Sequence, residues 1–410
     1  MIEVQGKYTK GKIFTDNVEE KAYAQTIEAC NQPWIIHPRW MPDIHYGEGC
    51  TIGTTYYVEG IGNADHVGVD IGCNMYVVRL KNRGMDLKIL EQVIKTNVPM
   101  GFSNNLTKTD AEFVYDLKCA DAPKIDINKG LYALGSMGGG NHFIEGNEDS
   151  EGNLYLVAHS GSRGLGFQVA NHYSRLGAFN DYQAKRDAII EKAKLSNEEQ
   201  LIPERLEELK NNRNTMPNIS GEVFENYIHD MKIMQKFALL NTELILWKII
   251  DAMELSVDSY FHTVHNYIDT ENMIVRKGAV SAQDGEMLVI PMNMGYGTLL
   301  CRGKGNADWN FSAPHGAGRT MSRGKARGTL SMEKFKSSME FIYSPSVSKG
   351  TLDESPDAYK PPQEIIDNIH DTVDIVDVLK PFFNIKDTGK HEKRSKQHYQ
   401  SLKESMYGIQ

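Results

Sequence analysis

The feature that most constrains the fold is an alternation, from about residue 35 to 80, of glycine-rich turns with short β-branched or aromatic runs. The segments TIGTTYYVEG and CNMYVVRL are of this kind and are typical of β-strands that end at turns. Residues 154–159 (LYLVAH) form a short apolar run, as in a buried strand, and residues 274–301 return to the strand-and-turn pattern. These segments predict a β-sheet core.

Helical patterns separate these strands. Residues 87–95 carry apolar positions at helical spacing, and 363–379 have a helical pattern as well. Residues 181–262 are charged and helix-forming, with breaks at Pro203 and in the polar stretch that follows. We therefore predict an α+β fold, a mixed β-sheet core flanked by helices, with a helical insertion at about 181–262. A single domain is expected over 1–387, followed by a polar C-terminal tail over 388–410.

Composition supports a folded protein that does not cross a membrane. Over 410 residues a hydrophobic fraction of 40% is enough to build a core. No apolar run is long enough for a membrane helix, and the N-terminus lacks the pattern of a secretory signal, so we expect a soluble cytoplasmic protein. The 5 cysteines include no CxxC pair, which argues against a disulfide framework.

Charge is distributed unevenly along the chain. The formal net charge of −9 argues against nonspecific coating of nucleic acid, which needs clustered lysine and arginine. Between residues 276 and 327, however, basic residues outnumber the acidic Asp284, Glu286 and Asp308. The basic residues there are Arg276, Lys277, Arg302, Lys304, Arg319, Arg323, Lys325 and Arg327. This region is either a phosphate-binding face or a solvated charged loop.

The motif VGVDIGCNM places Asp70 and Cys73 three residues apart across a glycine, at the start of a predicted strand. A tight turn there can direct a carboxylate and a thiolate at one point, as a metal site requires. The alternative is structural, with Asp70 capping a turn and Cys73 serving as a small buried hydrophobic residue.

Two further motifs place a histidine beside a glycine-rich loop. In LGSMGGGNHFIE, Gly138–Gly140 precede Asn141 and His142, so the backbone there can approach a ligand closely. In VAHSGSRG, His159 ends an apolar run, and the loop after it offers amides, hydroxyls and the Arg163 guanidinium to an oxyanion. The alternatives are an ordinary glycine turn and a buried, hydrogen-bonded histidine.

The motifs HTVHNYID and SAPHGAGRTMSRGKAR contain the other candidate histidines. The first offers His262 and His265, with Asn266 beside the second. In the other motif, His315 stands in a loop of small residues next to basic ones, where it has little apolar surface to pack against. This pattern favours a nucleophile with an anion-binding cradle. Together, one Asp, one Cys and three His suit a divalent transition metal, and the thiolate by itself favours zinc.

The motifs, taken in order, resemble those of the RtcB family of RNA-splicing ligases. They are MPDIHYGEGCTIG, VGVDIGCNM, LGSMGGGNHFIE, HSGSRG, HNY, RKGAVSA and HGAGRTMSR. The resemblance runs from about Pro38 to Lys386 and is weakest over 181–262. No single motif is unique to the family, but the full series at family-like spacing is specific.

The resemblance implies an RtcB-like catalytic domain over 1–387 that holds two manganese ions, in place of the zinc that the thiolate favours. The implied metal ligands, with the Cys73 thiolate shared by both ions, are Asp70, Cys73, His142, His159 and His265. His315 is the implied catalytic residue. The implied GTP or GMP contacts are Asn141, His142, His265, Asn266, Pro291, Met292, Asn293, Met294, Thr298, His315, Gly316, Ala317, Gly318 and Lys386. The expected RNA or phosphate contacts are Arg163, Arg319, Arg323 and Lys325.

The implied activity is RNA ligation, in RNA splicing or in RNA repair. His315 attacks the α-phosphate of GTP, GMP passes to an RNA 3′-phosphate, and a 5′-hydroxyl end attacks the activated RNA. A 2′,3′-cyclic phosphate is first opened to the 3′-phosphate. The expected partners are GTP and such RNA ends. We expect a monomer, and the need for an activating helper protein is an open question.

The chain departs from the family at two places. Residues 291–295 read PMNMG, where the family usually has Pro-Gly-Ser/Asp-Met-Gly. Methionine takes positive φ only at a cost, so another backbone path is expected there. In addition, Lys386 is followed by Asp387 rather than by the family's glycine. Two alternatives stay open: a dinuclear metal phosphoesterase acting on nucleic acid, and a noncatalytic RNA-binding relative.

Overall fold

The computed structural model describes residues 1–211 and 216–389, so most of the predicted 388–410 tail lies outside the described residues. The strands are β1 (Ile2–Gln5), β2 (Lys10–Ile13), β3 (Ile36–His45), β4 (Ile52–Tyr57), β5 (Ile61–Gly62), β6 (Asn74–Leu80), β7 (Phe143–Glu148), β8 (Leu154–Ser160), β9 (Ile219–Ser220), β10 (Val257–Val264), β11 (Tyr267–Asp269), β12 (Ile274–Lys277), β13 (Ala279–Ser281), β14 (Met287–Asn293), β15 (Gly297–Gly303), β16 (Ser312–Pro314) and β17 (Val373–Ile385). The helices are α1 (Glu20–Cys30), α2 (Leu87–Asn97), α3 (Ile127–Ala133), α4 (Arg163–Leu195), α5 (Ile202–Asn211), α6 (Gly221–Ala252), α7 (Arg323–Thr329), α8 (Met332–Ser338) and α9 (Pro362–Asn368).

Two large sheets organise the described part of the chain. One has the strand order β10-β6-β8-β7-β17-β15-β14, and each of its neighbouring pairs is antiparallel. The other has the order β1-β2-β3-β4-β12-β11, in which β2 and β3 run parallel. In an antiparallel sheet, the end of one strand lies beside the start of the next. Loops that are distant in sequence therefore meet at one edge of the first sheet.

Helix α6 connects the two largest hydrophobic clusters of the protein. Its first half buries Tyr227 and Met234 in the cluster that also contains Trp40 and Tyr56 of the second sheet. Its second half places Ile245, Leu246, Ile249 and Ile250 against β6 and β8 of the first sheet. Fully burying each such side chain contributes about 1.5–3 kcal/mol. The helix therefore anchors the sheets whose loops form the site described below.

The predicted α+β class is confirmed, and so are the helix at 87–95 and the strand at 154–159. All of the cysteines are free, as expected without a disulfide framework. No helix of the described residues is both long and apolar enough to span a bilayer. The division into one domain with an insertion stays a prediction.

Two segment boundaries were predicted wrongly. Residues 257–262 belong to strand β10, although they lie inside the predicted helical range of 181–262. The predicted helix at 363–379 ends at Asn368, and β17 begins at Val373. Both segments are rich in β-branched or aromatic residues, and both pair along their length with neighbouring strands. Long-range pairing of this kind outweighs a weak local helical pattern.

Candidate metal centre and histidine loop

Four strand ends of the seven-stranded sheet bring the predicted metal ligands together. Cys73 directly precedes β6, His142 precedes β7, His159 lies near the end of β8, and His265 directly follows β10. The order β10-β6-β8-β7 makes these strands neighbours, and their antiparallel direction puts all four ends at one edge. Asp70 reaches the same edge through the turn before β6, where the Cys73 amide donates to the Asp70 carbonyl at 3.2 Å.

The five side chains form two overlapping groups, here called the metal cluster. Asp70, Cys73 and His142 make one group, and Cys73, His159 and His265 make the other. Cys73 Sγ lies 3.5 Å from His142 Nε2 and 3.2 Å from His159 Nε2. The His159 and His265 Nε2 atoms are 3.3 Å apart, and His142 Nε2 is 2.9 Å from Asp70 Oδ2. Because Cys73 belongs to both groups, this geometry can accommodate two ions that share one thiolate.

The electrostatics of the metal cluster fit a bound cation. Burial lowers the pKa of His159 and of His265 well below the ordinary value, so both rings are neutral and have a lone pair to donate. Burial, together with the neighbouring Asp70 charge, raises the pKa of the Cys73 thiol well above its ordinary value. Metal ions deprotonate coordinating thiols. The cluster therefore has ligand atoms of the right kind for a metal ion. A bound cation would stabilise the thiolate form of Cys73.

Hydrogen bonds orient the cluster in advance. His159 Nδ1 donates a hydrogen bond to the Asn141 carbonyl at 3.3 Å, which leaves Nε2 facing the sulfur. Oδ1 of Asp70 accepts from the Ser162 amide at 3.0 Å. Burial raises the pKa of the Asp70 carboxyl, but the His142 hydrogen bond outweighs this effect, and the pKa lies below its ordinary value. Such outer contacts commonly fix ligand geometry at metal sites.

His315 lies beside the metal cluster. Its ring centroid is 4.9 Å from that of His265, and its side chain is 19% exposed. Its Nδ1 donates to Oδ2 of Asp43 at 2.6 Å. A carboxylate can only accept, so the proton sits on Nδ1 and the Nε2 lone pair is available for attack on an electrophile.

Two glycines leave room for His315 and for its partner Asp43. A Cβ at Gly278 would lie 3.0 Å from His315 Cε1, and a Cβ at Gly318 would lie 2.4 Å from the Asp43 carbonyl oxygen. Both residues have positive φ, 60° and 75°, which side-chain-bearing residues rarely adopt. Gly278 lies in the motif RKGAVSA, and the sequence alone does not reveal this contact with His315.

The predicted nucleotide contacts Asn141, Asn266 and Lys386 lie around the same cluster. Lys386 Nζ donates to the Asn141 carbonyl at 3.1 Å and pairs with Glu354 at 2.9 Å. Asn266, at φ 65°, donates to the Asp70 carbonyl at 3.3 Å and accepts from the Gly278 amide at 2.9 Å. These residues already contact the backbone of the site, and their nucleotide contacts stay predictions.

The unusual 291–298 segment forms the hairpin between β14 and β15. Asn293 Oδ1 accepts from the Gly295 and Tyr296 amides at 3.0 and 2.9 Å, which closes the turn. Met292 and Met294 point into separate apolar clusters. Neither methionine takes positive φ, whereas Gly297 does, at 100°. An asparagine turn thus closes the hairpin without positive φ at either methionine, and the nucleotide contacts predicted for Met292 and Met294 stay predictions.

Thr298 and the His315 loop lie close to this hairpin. Thr298 is buried, and its Oγ1 has no hydrogen-bond partner within the described structure. A Cβ at Gly316 would lie 3.1 Å from the Pro291 carbonyl, so Gly316 approaches the hairpin backbone. Ala317 is buried in the same apolar cluster as Met292. The hairpin and the His315 loop thus form one wall of the site.

The predicted basic region at 276–327 is exposed only in part, because two of its cations are buried. Arg276 is fully buried and pairs with Asp269 at 3.1 Å, and Lys277 is also buried, with its Nζ donating to main-chain carbonyls. These charges stabilise the interior and do not reach solvent. Counting charges along the sequence cannot separate buried cations from exposed ones.

Arg319 and Arg323 are paired with acids from outside the basic segment. Arg319 donates to the Asp353 carbonyl at 2.6 Å and lies 3.4 Å from Glu354. Arg323 pairs with Asp353 at 2.8 Å and also with Glu354. Lys325, in contrast, is exposed and belongs to none of the ion pairs between described residues. The RNA contacts predicted for all of these residues stay predictions.

His262 does not belong to the cluster. It lies on β10 with its ring stacked near Tyr76, at 6.5 Å between centroids.

Two acidic residues of the site were not predicted from the sequence. Asp43 orients His315, and Glu354 neutralises Lys386. The sequence did contain one indication for Asp43, which is a carboxylate between the apolar residues Pro42 and Ile44 in the motif MPDIHYGEGCTIG. Glu354 lies outside every quoted motif.

The fold and the site together define an α+β protein with a candidate dinuclear metal centre beside a histidine loop. The model of the family described as tRNA-splicing ligase RtcB matches residues 25–120 and 115–387, and the chain belongs to this family. It is 29% identical to the RNA-splicing ligase RtcB of Escherichia coli (strain K12), with 90% of this chain and 95% of the relative covered. It is 26% identical to the tRNA-splicing ligase RtcB of Methanococcus maripaludis, with 90% and 92% covered.

Proposed function

We propose that this protein is a GTP- and manganese-dependent RNA ligase that joins RNA 3′-phosphate or 2′,3′-cyclic phosphate ends to 5′-hydroxyl ends. Family membership and the names of the relatives support RNA ligation. The single observation that carries the mechanism is the position of His315, with Nδ1 held by Asp43 and its ring 4.9 Å from the His265 ring.

In the first proposed step, His315 Nε2 attacks the α-phosphorus of GTP. A nitrogen–phosphorus bond forms, and pyrophosphate leaves. Asp43 keeps the proton on Nδ1 and stabilises the positive charge that develops on the ring. Bound manganese ions would neutralise phosphate charge and orient the triphosphate in line with the histidine. In this proposal Lys386 and Asn266 contact the nucleotide.

In the following steps the GMP group passes to RNA. An oxygen of the RNA 3′-phosphate attacks the phosphorus of histidine-GMP, and the imidazole leaves, which yields an RNA end capped by a diphosphate-linked guanosine. The 5′-hydroxyl oxygen of the second RNA then attacks the 3′-phosphorus and loses its proton, and GMP leaves. A 2′,3′-cyclic phosphate end first adds water to become a 3′-phosphate.

The proposed nucleophile is tested by covalent labelling. Incubated with manganese and α-labelled GTP without RNA, the protein should retain label in a bond that acid breaks and alkali spares, as expected of a phosphoramidate. His315→Ala should lose the label. His262→Ala is the matched control, because His262 is an exposed histidine that points away from the cluster, and it should keep the label.

A second measurement separates the ligase from a phosphoesterase. His315→Ala should still join an RNA that already carries the 3′-diphosphoguanosine to a 5′-hydroxyl end, because the histidine acts before that step. Label that survives in His315→Ala would move the nucleophile elsewhere. RNA joining by the wild-type protein in the absence of any nucleotide would refute the guanylylation mechanism.

A further inference from the structure

A cavity of about 640 Å³ opens beside the first half of helix α4, and we call it the α4 groove. Large aromatic side chains on its rim are exposed to solvent: Phe102 is 95%, Phe167 53% and Phe179 59% exposed. Exposed apolar surface of this kind, gathered around a cavity, commonly marks a binding site. None of the motifs that define the metal centre accounts for these phenylalanines.

The aromatic residues on α4 follow a regular stripe. Phe167, Asn171, Arg175 and Phe179 recur every four residues, so they share one face of the helix, and all of them line the groove. The opposite face packs into the core through residues such as Leu165 and Tyr173. From Phe167 to Phe179 the stripe is about 18 Å long at 1.5 Å per residue. An aromatic ring stands at each end of the stripe, with Asn171 and Arg175 between them.

The α4 groove is positively charged, although the protein as a whole is acidic. Lys124, Lys129 and Arg175 line it and are exposed, and Asp126 is the acidic residue beside them. The Asp126 carboxylate accepts from the Lys129 amide at 2.9 Å, where it caps α3. No ion pair between described residues involves the three cations. A ligand that combines flat apolar groups with negative charges would complement this surface.

One end of the groove, at Arg163, adjoins a residue that contacts the metal cluster. Arg163 lines the groove, donates to the Gly101 carbonyl at 3.2 Å, and adopts an unusual φ of 55°. The neighbouring Ser162 amide donates to the metal-cluster residue Asp70 at 3.0 Å. A left-handed backbone at a residue other than glycine costs about 1 kcal/mol or more and is often found at functional sites. Arg163 therefore links the groove to the Ser162 contact of the metal cluster.

We propose that the α4 groove binds the single-stranded segment of RNA next to the reacting end, with bases stacked on Phe167 and Phe179 and phosphates paired with Lys124 and Arg175. This inference rests on the proposed function. Aromatic platforms interleaved with cations are the way in which proteins hold single strands without reading sequence. At about 3.4 Å per stacked nucleotide, 18 Å corresponds to roughly five nucleotides.

Binding of a fluorescent ten-nucleotide single-stranded RNA tests the aromatic contribution. Phe167→Ala/Phe179→Ala should weaken binding by about tenfold or more, since each stacking contact contributes about 1–3 kcal/mol. Tyr8→Ala is the matched control, because Tyr8 is 54% exposed but does not line the groove. The control should bind as tightly as wild type. Binding of the double variant that equals the control would overturn the proposal and assign the stripe to a protein partner.

Charge is tested separately through the salt dependence of binding. Arg175→Glu should weaken binding and reduce the slope of log affinity against log salt by about one. Lys21→Glu, an exposed lysine on α1 outside the groove, is the control and should leave the slope within error of wild type. An unchanged slope in Arg175→Glu would contradict phosphate pairing in the groove.

Labelling and crosslinking distinguish a failure of this inference from a failure of the proposed function. The groove variants should still accept label from GTP at wild-type rate, because the groove holds RNA and not the nucleotide. Photoactivatable uridine in the bound RNA should crosslink to α4. Crosslinks to α4 in a protein that never accepts GMP would refute the ligase mechanism and leave the groove assignment intact. Crosslinks confined to other elements, with active ligase, would refute the groove.

Discussion

His315 Nδ1 lies 2.6 Å from Oδ2 of Asp43, although the two residues are separated by 272 positions in the sequence. The Asp43 side chain is fully buried on β3, whereas His315 is 19% exposed and faces the metal cluster. A buried carboxylate in this position determines which ring nitrogen carries the proton and directs the other nitrogen toward the site. Asp43 is therefore a positioning residue for the proposed nucleophile.

Asp43→Asn should slow covalent labelling of His315 by on the order of 10²-fold, because a neutral amide does not stabilise the ring charge that develops during attack. The substitution keeps the size of the side chain. The same variant should join pre-activated RNA at close to the wild-type rate, which a merely misfolded protein would not do. Asp16→Asn, at an exposed aspartate, serves as control for the substitution itself. Equal loss of both reactions would show that Asp43 acts through the fold.

Cys73→Ala should purify with less bound metal and lose RNA joining, because this thiol is the member common to both ligand groups. Cys73→Ser should not restore activity, since a serine hydroxyl is a poor anionic ligand at neutral pH. Elemental analysis of the purified variants measures the metal directly. Cys301→Ala, at a buried free cysteine outside the cluster, is the matched control. Full metal content and normal joining in Cys73→Ala would contradict its assignment as a shared ligand.

Charge reversal at Lys325 and at Arg323 should have different effects. Lys325→Glu should weaken RNA binding and lower its salt dependence by about one unit of slope, while labelling of His315 continues. Arg323→Glu should instead destabilise the fold by roughly 2 kcal/mol or more, because it leaves Asp353 and Glu354 buried beside another negative charge. Urea unfolding and RNA titration of both variants separate these effects. Equal stability of the two variants would contradict the pairing of Arg323.

Glu145 should make stability depend on pH. Its buried carboxyl has a pKa raised to about 7 by burial, against the opposing effect of hydrogen bonds from Asn147 and Asn384 and the charge of Lys386. Because the pKa is raised on folding, the folded protein binds this proton more tightly than the unfolded chain does. Protonation of Glu145 therefore stabilises the fold fully below the ordinary glutamate pKa, and this contribution is lost as pH rises through about 7.

Glu145→Gln should remove this dependence. Its unfolding free energy, relative to wild type, should increase by roughly 1–3 kcal/mol between pH 5 and pH 8. Urea unfolding at the two pH values measures the change. Glu148→Gln, at an exposed glutamate of the same strand, is the control and should show little change. A difference that stays constant with pH would mean that Glu145 is ionised in the folded state throughout this range.

The sequence by itself determined the residue types of the site and much of the local structure. The α+β class, helix α2 and strand β8 follow from periodicity, because the repeat of buried positions reports the geometry of the backbone. His315 was favoured as a functional residue from its loop of small residues, whereas the motif around Asp70 and Cys73 left a structural role open, and their place in a metal site was implied by the family resemblance.

Only the tertiary structure decided which of these groups meet. The antiparallel order β10-β6-β8-β7 places His265, Cys73, His159 and His142 at one sheet edge, whereas His262, within β10, has its ring near Tyr76 instead. The pairing of Arg323 with Asp353 was likewise invisible in a local count of charge. The physical reason is that strand order, burial and ion pairing depend on contacts between residues far apart in sequence, whereas a local pattern reports only on neighbours along the chain.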